Sequence, residues 1–306
     1  MKYTTRILIG LDHTEMDKTL IEYVRYLVDI LPLESLIFVN VIPNLHIPSE
    51  VLKEFPDLID KVLNEREQEI RKNVGQYFAN NPIDISYVVK ADVPTKFIME
   101  YGKKLDVDLI VIGRKRTLPS SSITITRLAR RAHCNLLIIP EGTTPSLKTI
   151  CVPIDFSRYS KITLEHAIEV AIRAKTVSDI VCQHVYSVPI GYTHIGKTYE
   201  EFAEIMKTNS EKNFKNMIKK IDTRGTTITP VFSLESKNDI LNNICELAIQ
   251  IKADLIIIGA KGRTATAALF IGTFAEKLIH VIQDIPVFIA RPKGQSKGLL
   301  DYLKEL

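Results

Sequence analysis

The sequence predicts an α/β protein built as two tandem, doubly wound, mainly parallel five-stranded sheets with helices on both faces. Three observations carry that expectation. Short apolar runs such as 7–11 and 255–258 alternate with longer segments whose apolar residues recur at helical spacing. An alternation of strand and helix calls for parallel strands joined by right-handed crossovers. The pattern also occurs twice. Asp108-Leu109-Ile110-Val111-Ile112-Gly113 returns as Asp254-Leu255-Ile256-Ile257-Ile258-Gly259, 146 residues later. Asp12, which closes the first apolar run, returns as Asp155, 143 residues later. Collinear offsets of this kind mark a duplicated domain.

In the first half, residues 7–11 read as a strand ending at Asp12, and His13-Thr14-Glu15 as a turn that caps a helix. Leu20, Ile21, Val24, Leu27, Val28 and Leu31 give that helix one apolar face. A second buried strand covers 36–42. A long charged helix follows over 49–79, broken near Pro56, and Asn80-Asn81-Pro82 ends it. Residues 85–89 form a third strand, 94–105 a helix, and 109–112 and 136–139 the fourth and fifth strands.

Residues 141–148, EGTTPSLK, hold Gly, Thr, Pro and Ser without an apolar period and read as a linker. The expected domains are therefore 1–140 and 149–292, with a tail over 293–306. The second half repeats the first: a strand over 149–154, a helix through Ile162, Ala167, Val170 and Ala171, and a strand over 181–185. Then come a long helix over 200–221, a strand over 228–234, a helix over 240–251, the strand 255–258, a helix over 274–282 and a strand over 287–289. Asn40-Val41 falls where His184-Val185 falls. In the tail, Leu299, Leu300, Leu303 and Leu306 sit at near-helical spacing and predict a short helix that needs a surface to pack on.

Composition narrows the function. The chain of 306 residues has a formal net charge of +4, too small an excess to argue for nucleic acid. No apolar run approaches the ~20 residues of a membrane span, and the N-terminus lacks the pattern of a signal peptide. Cys134, Cys151, Cys182 and Cys245 are scattered, without C-x-x-C pairs or metal spacing. They read as buried thiols of a cytoplasmic protein.

The chemistry-bearing stretch is 254–273, DLIIIGAKGRTATAALFIGT. A buried strand ending at Ile258 runs into Gly259, Lys261, Gly262 and Arg263, and nine residues after Gly262 come Gly272 and Thr273, just before a helix. Glycines there bring backbone N–H groups close to an anion, and the helix N-terminus adds a favourable dipole. Thr273 is placed to cap that helix and to donate its hydroxyl to a phosphate. The spacing is neither G-x-x-x-x-G-K-[ST] nor G-x-G-x-x-G. Strand C-terminal ends are where such sheets bind ligands, so Asp12 or Asp155 shares that edge with the glycine loop.

The spacing Gly259, Gly262, Gly272-Thr273 resembles the nucleotide-binding motif of the ATP-binding universal stress proteins, and the whole chain except its last dozen or so residues resembles a tandem member of that family. The resemblance implies a doubly wound fold and a module for stress response or signalling that binds ATP, with or without Mg²⁺. It implies that Asp155 accepts from the adenine amino group and that Val185 meets the base through its backbone. Pro153 would lie against the base. Gly259, Gly262 and Gly272 would let the chain wrap the phosphates, with Lys261 and Arg263 adding charge and Thr273 a hydroxyl. Family members often carry a second hydroxyl where this chain has Ala275. The family also implies pairing through the fifth strand, either between the two halves or in a homodimer.

The first half departs from the motif. Arg116 stands where Gly262 stands, and the loop is about five residues shorter when the fifth strands are aligned. Such a loop is not expected to enclose a triphosphate, and Asp12 reads as a turn former. Arg114, Lys115, Arg116, Arg127, Arg130 and Arg131 read as a solvated basic face. His184 reads as a structural residue. Two alternatives remain beside a nucleotide-binding module. A slow ATPase would need a base and a divalent ion, and the loop offers no acidic residue. A nucleotide-free scaffold for another ligand or a protein needs neither.

Overall fold

A computed structural model describes residues 5–43, 45, 47–116, 119–176, 179–236, 239–261 and 271–291, with side chains left out at 119–122. The expected tail helix and the loop positions Gly262 and Arg263 lie outside the described residues. The chain divides into two compact units, Met1–Pro145 and Ser146–Leu306.

The first unit runs β1 (Arg6–Leu11), α1 (Glu15–Ile30), β2 (Ser35–Ile42), α2 (Ser49–Glu54), α3 (Leu58–Phe78), β3 (Asp84–Ala91), α4 (Pro94–Lys104), β4 (Leu109–Arg114), α5 (Pro119–Arg131) and β5 (Asn135–Pro140). The second runs β6 (Thr149–Pro153), α6 (Arg158–Ala174), β7 (Asp179–Tyr186), a 3-10 turn (Tyr192–Ile195), α7 (Tyr199–Ile218), β8 (Ile228–Leu234), α8 (Ile240–Gln250), β9 (Leu255–Gly259), α9 (Thr273–Val281) and β10 (Val287–Ala290). Within the first unit the strands lie in the order β3-β2-β1-β4-β5, and within the second β8-β7-β6-β9-β10, all parallel. The order reverses beside β1 and β6, and there the crossovers leave a crevice. The long charged helix is interrupted, as Pro56 suggests. Phe55 ends α2 by donating to Val51 O at 2.8 Å, and α3 restarts at Leu58.

The repeated Asp-Leu-Ile motif has a structural cause at its first residue. Asp254 Oδ2 accepts from Lys148 N and Thr149 N, both at 2.9 Å, and Asp254 N donates to Thr149 O. In the first unit Asp108 Oδ2 accepts from Arg6 N at 3.0 Å, and Asp108 N donates to Arg6 O. Each aspartate ties the start of the unit's first strand to the start of its fourth. The apolar run behind it is buried on both faces. Ile256, Ile257, Ile110 and Val111 are all 0% exposed, and each such side chain contributes roughly 1.5–3 kcal/mol of transfer free energy.

Candidate functional site

The site of the second unit begins where β6 stops. Ile154 N still donates to Gln183 O at 2.8 Å, and then the chain turns sharply into α6. Phe156 takes a left-handed φ of 60° at the turn, unusual for a bulky residue. Asp155 holds the turn together. Its Oδ1 accepts from Ser157 N at 3.0 Å and from Ser160 Oγ at 2.5 Å, while Asp155 N donates to Ser160 Oγ at 2.8 Å. Ser157 caps α6 by accepting from Ser160 N at 3.2 Å. Asp155 is thus more than a turn former, because its carboxylate fixes the start of the helix that borders the site.

His184 stands beside this turn. Its Nδ1 lies 2.9 Å from Ile154 O, and its ring is 4.3 Å from the Phe156 ring. A carbonyl oxygen only accepts, so His184 carries its proton on Nδ1. The first unit makes the same bond with a different residue. Asn40 Nδ2 donates to Leu11 O at 3.0 Å, and Leu11 precedes Asp12 as Ile154 precedes Asp155.

From the other side come β9 and α9. Ala260 N donates to Ala290 O at 3.0 Å, and Gly272 N donates to Ala260 O at 2.7 Å, which closes the neck of the loop between them. Gly272 itself is the N-cap of α9, at φ −66° and ψ 149°, and no side chain caps the helix. The expectation that Thr273 caps α9 is therefore corrected. Thr273 is already the first helical residue and is exposed, because the turn at the neck places Gly272 at the boundary. The backbone N–H groups of the first turn of α9 remain as donors at this edge.

Gly259 needs its missing Cβ for packing. A Cβ there would lie 2.9 Å from Thr163 Oγ1 on α6 and 3.1 Å from Lys261 O. The close approach that Gly259 permits is thus to α6 and to its own loop.

These elements enclose a cavity of about 290 Å³ at the C-terminal edge of the sheet. Of the residues expected at the site, Pro153, Asp155 and Val185 line it from β6 and β7, and Ile258, Gly259, Lys261 and Gly272 line it from β9 and the neck. Thr273 does not line it. Ile240 and Ile244 of α8 and Phe274 and Ala275 of α9 supply an apolar wall.

The opposite end is basic. Lys261 is half-buried, and its pKa is lowered by burial and by repulsion from Arg291 and Arg158. Lys261 Nζ sits 6.0 Å from the Tyr159 ring, and the Arg158 guanidinium 5.5 Å from the same ring. Arg158 and Arg291 were not expected from the sequence. Their signal is faint, a basic residue directly after the Ser157 cap and another directly after the fifth strand. Gln183 and Ser160 also line the cavity and had not been singled out. Among the described residues no group of three His, Cys, Asp or Glu could hold a metal ion. No described helix is long and apolar enough to cross a membrane. All four cysteines are buried thiols outside any disulfide, and burial pushes the Cys151 thiol up to about 12.

The corresponding corner of the first unit is filled by its own side chains. Lys115 Nζ lies 2.6 Å from Asp12 Oδ2, and Thr14 Oγ1 donates to Asp12 Oδ1 at 2.6 Å. Met16 packs against Gly113 so closely that a Cβ on the glycine would lie 2.4 Å from Met16 Cγ. The reading of a solvated basic face is corrected for two residues. Arg114 is 8% exposed, with its pKa lowered by burial to about 10, and the Lys115 side chain is 15% exposed. Arg114 is the last residue of β4 and Lys115 follows it directly. Arg116, Arg127, Arg130 and Arg131 are exposed.

A profile of the universal stress protein family matches residues 4–140 and again 146–291. The chain belongs to the universal stress protein family. Among curated relatives it is similar to the universal stress protein MJ0577 of Methanocaldococcus jannaschii, 24% identical over 162 residues that cover 48% of this chain and 96% of that one. It is likewise similar to MJ0531 of the same organism, 27% identical over 150 residues, covering 48% of this chain and 85% of the relative. Among solved structures, a universal stress protein from Archaeoglobus fulgidus shares the fold over 95% of this chain and 97% of its own, with a TM-score of 0.64 at 17% identity. The two profile matches fall one in each unit, as the tandem reading requires.

Proposed function

We propose that the second unit binds a nucleoside triphosphate, ATP by family resemblance, and that the protein works as a nucleotide-binding stress or signalling module. One observation carries the reading: the same cavity is lined by the apolar side chains of Ile240, Ile244, Ile258 and Phe274 and by the cation Lys261. Burial and the nearby arginines hold the Lys261 pKa down, and an anion beside its ammonium would favour the charged form. The volume of about 290 Å³ suits a base and its sugar. The phosphates would then extend toward Lys261 and the N-terminus of α9, whose free N–H groups favour an anion.

The first unit, in this reading, holds no nucleotide. Lys115 is held by Asp12, and Met16 occupies the space over Gly113. Its role is then to support or to present a surface, and the chain carries one nucleotide.

Mild purification, denaturation and mass spectrometry of the released small molecules test this directly. The expected result is ATP or its diphosphate at about one per chain. Release of a different class of molecule, or no nucleotide together with no binding of millimolar ATP, would contradict it.

A further inference from the structure

The first turns of α1 and α6 hold the same place in their units, and their residues differ in what they offer an anion. Counting from Asp12 and Asp155, Glu15 corresponds to Arg158 and Met16 to Tyr159. Met16 and Tyr159 each face a glycine beside the fourth strand. A Cβ on Gly113 would lie 2.4 Å from Met16 Cγ, and one on Gly259 would lie 3.7 Å from Tyr159 Cβ. The methionine fills the space over its glycine. The tyrosine instead carries two cations on its ring: Lys261 Nζ is 6.0 Å from the ring centre and Arg158 Cζ 5.5 Å. Among the described residues neither cation has a carboxylate partner. The N–H groups of Arg158 and Tyr159 also donate to no described residue, because Ser157 caps α6 only through Ser160 N. Two cations without counter-ions and two backbone donors thus meet at the start of α6.

We infer that Arg158 grips the phosphates beyond the first of the bound nucleotide, and so makes the second unit select a polyphosphate over a monophosphate. The inference rests on the nucleotide reading above and names what reads the length of the phosphate chain. Lys261 lines the cavity, whereas Arg158 is exposed and stands outside it. Base and sugar fill a cavity of about 290 Å³, so the phosphate chain has to leave it. Past Lys261, the next cation over the same ring is Arg158. The two charges are at most about 11.5 Å apart, the sum of their distances to the ring centre. Charge-assisted bonds of ~2.8 Å at both ends leave up to about 6 Å between them, a gap that two or three linked phosphate groups span. An arginine suits the outer end, because its flat fork takes two oxygens at once. The first unit has Glu15 at this position, which would repel a phosphate.

The test is calorimetry of the full chain with two ligands, ATP and AMP. ATP should bind the unaltered protein at least about tenfold more tightly than AMP. In Arg158→Gln that preference should fall about tenfold, through lost ATP affinity, with AMP affinity nearly unchanged. Arg158→Lys keeps the charge without the fork and should retain part of the preference. Arg158 is exposed, so both variants should fold, and AMP affinity checks the cavity in each. Equal binding of ATP and AMP to the unaltered protein overturns the inference and leaves nucleotide binding standing. So does a preference that Arg158→Gln leaves intact, including the case in which both affinities fall together. If neither ligand binds the unaltered protein, the nucleotide reading falls and the inference with it.

Discussion

Lys115 and Asp12 form an ion pair at 2.6 Å in the first unit, at the place where the second unit keeps Lys261 turned toward a cavity. The two lysines are equivalent by position, each two residues after the glycine that follows the apolar run of its unit's fourth strand. In one unit the site's own aspartate neutralises the cation. In the other Asp155 is engaged by Ser157 and Ser160, and Lys261 has Arg158 and Arg291 for neighbours.

That difference makes the Lys115–Asp12 pair a matter of local order rather than of ligand binding. Asp12 is about half exposed, so Lys115→Ala should cost no more than ~1 kcal/mol of stability. A double-mutant cycle with Asp12→Asn in urea denaturation reads that coupling. Nucleotide affinity of the full chain should be unchanged in both variants, and a loss of binding would place a ligand in the first unit.

Gly259→Ala is expected to destabilise the second unit by about 1–3 kcal/mol, because the new methyl meets Thr163 Oγ1 at 2.9 Å. Thr163→Ala in the same chain removes that oxygen and should recover part of the loss. Full recovery is not expected, since Lys261 O stands 3.1 Å from the same position. If the second substitution restores nothing, packing against α6 does not explain the glycine.

Ser160→Ala should loosen the turn that carries Asp155. The hydroxyl both donates to Asp155 Oδ1 and accepts from Asp155 N, and Ser160 is 7% exposed. Losing both bonds should cost about 1–3 kcal/mol. ATP affinity should also fall, because the carboxylate loses its fixed position. Thermal melting and calorimetry on the same sample separate the two effects, and retention of both values would refute the role given to Ser160.

Asp17, in the first unit, should titrate far above an ordinary aspartate. Burial raises its pKa from 3.8 to about 6, against the lowering effect of the N–H groups of Asp12 and His13, which it accepts at 2.8 and 2.9 Å. The folded state therefore holds this proton more tightly than the unfolded chain. Its contribution to stability is full below about pH 4 and is lost as the pH rises through about 6. Carbon-13 NMR should show the Asp17 carboxyl titrating near pH 6, and Asp17→Asn should flatten the dependence of stability on pH between about 4 and 7. A midpoint near 4 would contradict the burial argument.

Much of the fold was legible because local pattern and global architecture agree. Buried β-branched runs read as strands, and the repeat of Asp108–Gly113 at Asp254–Gly259 identified the duplication. The reason for that repeat was less legible. The sequence drew attention to the glycines, whereas Asp108 and Asp254 bind strand starts far away in the chain, at Arg6, Lys148 and Thr149. The cavity gathers Ile258, Gly259, Lys261 and Gly272, which the glycine motif had singled out, with Pro153, Asp155 and Val185, which the family resemblance implied. Gln183 and Arg291 escaped because their relevance depends on strand register and on the end of a distant strand. The filling of the first unit escaped for a similar reason. Gly113 looks equivalent to Gly259 until Met16, the second residue of α1, is seen to occupy its open side.

The central claim is that one unit binds nucleotide and the other does not. Isothermal titration of the full chain with ATP tests it most directly, repeated with Lys261→Ala. The expected result is one site per chain, with affinity reduced about tenfold in the variant, as for a lost charge-assisted bond to phosphate. Two equivalent sites, or a single site indifferent to Lys261, would contradict it.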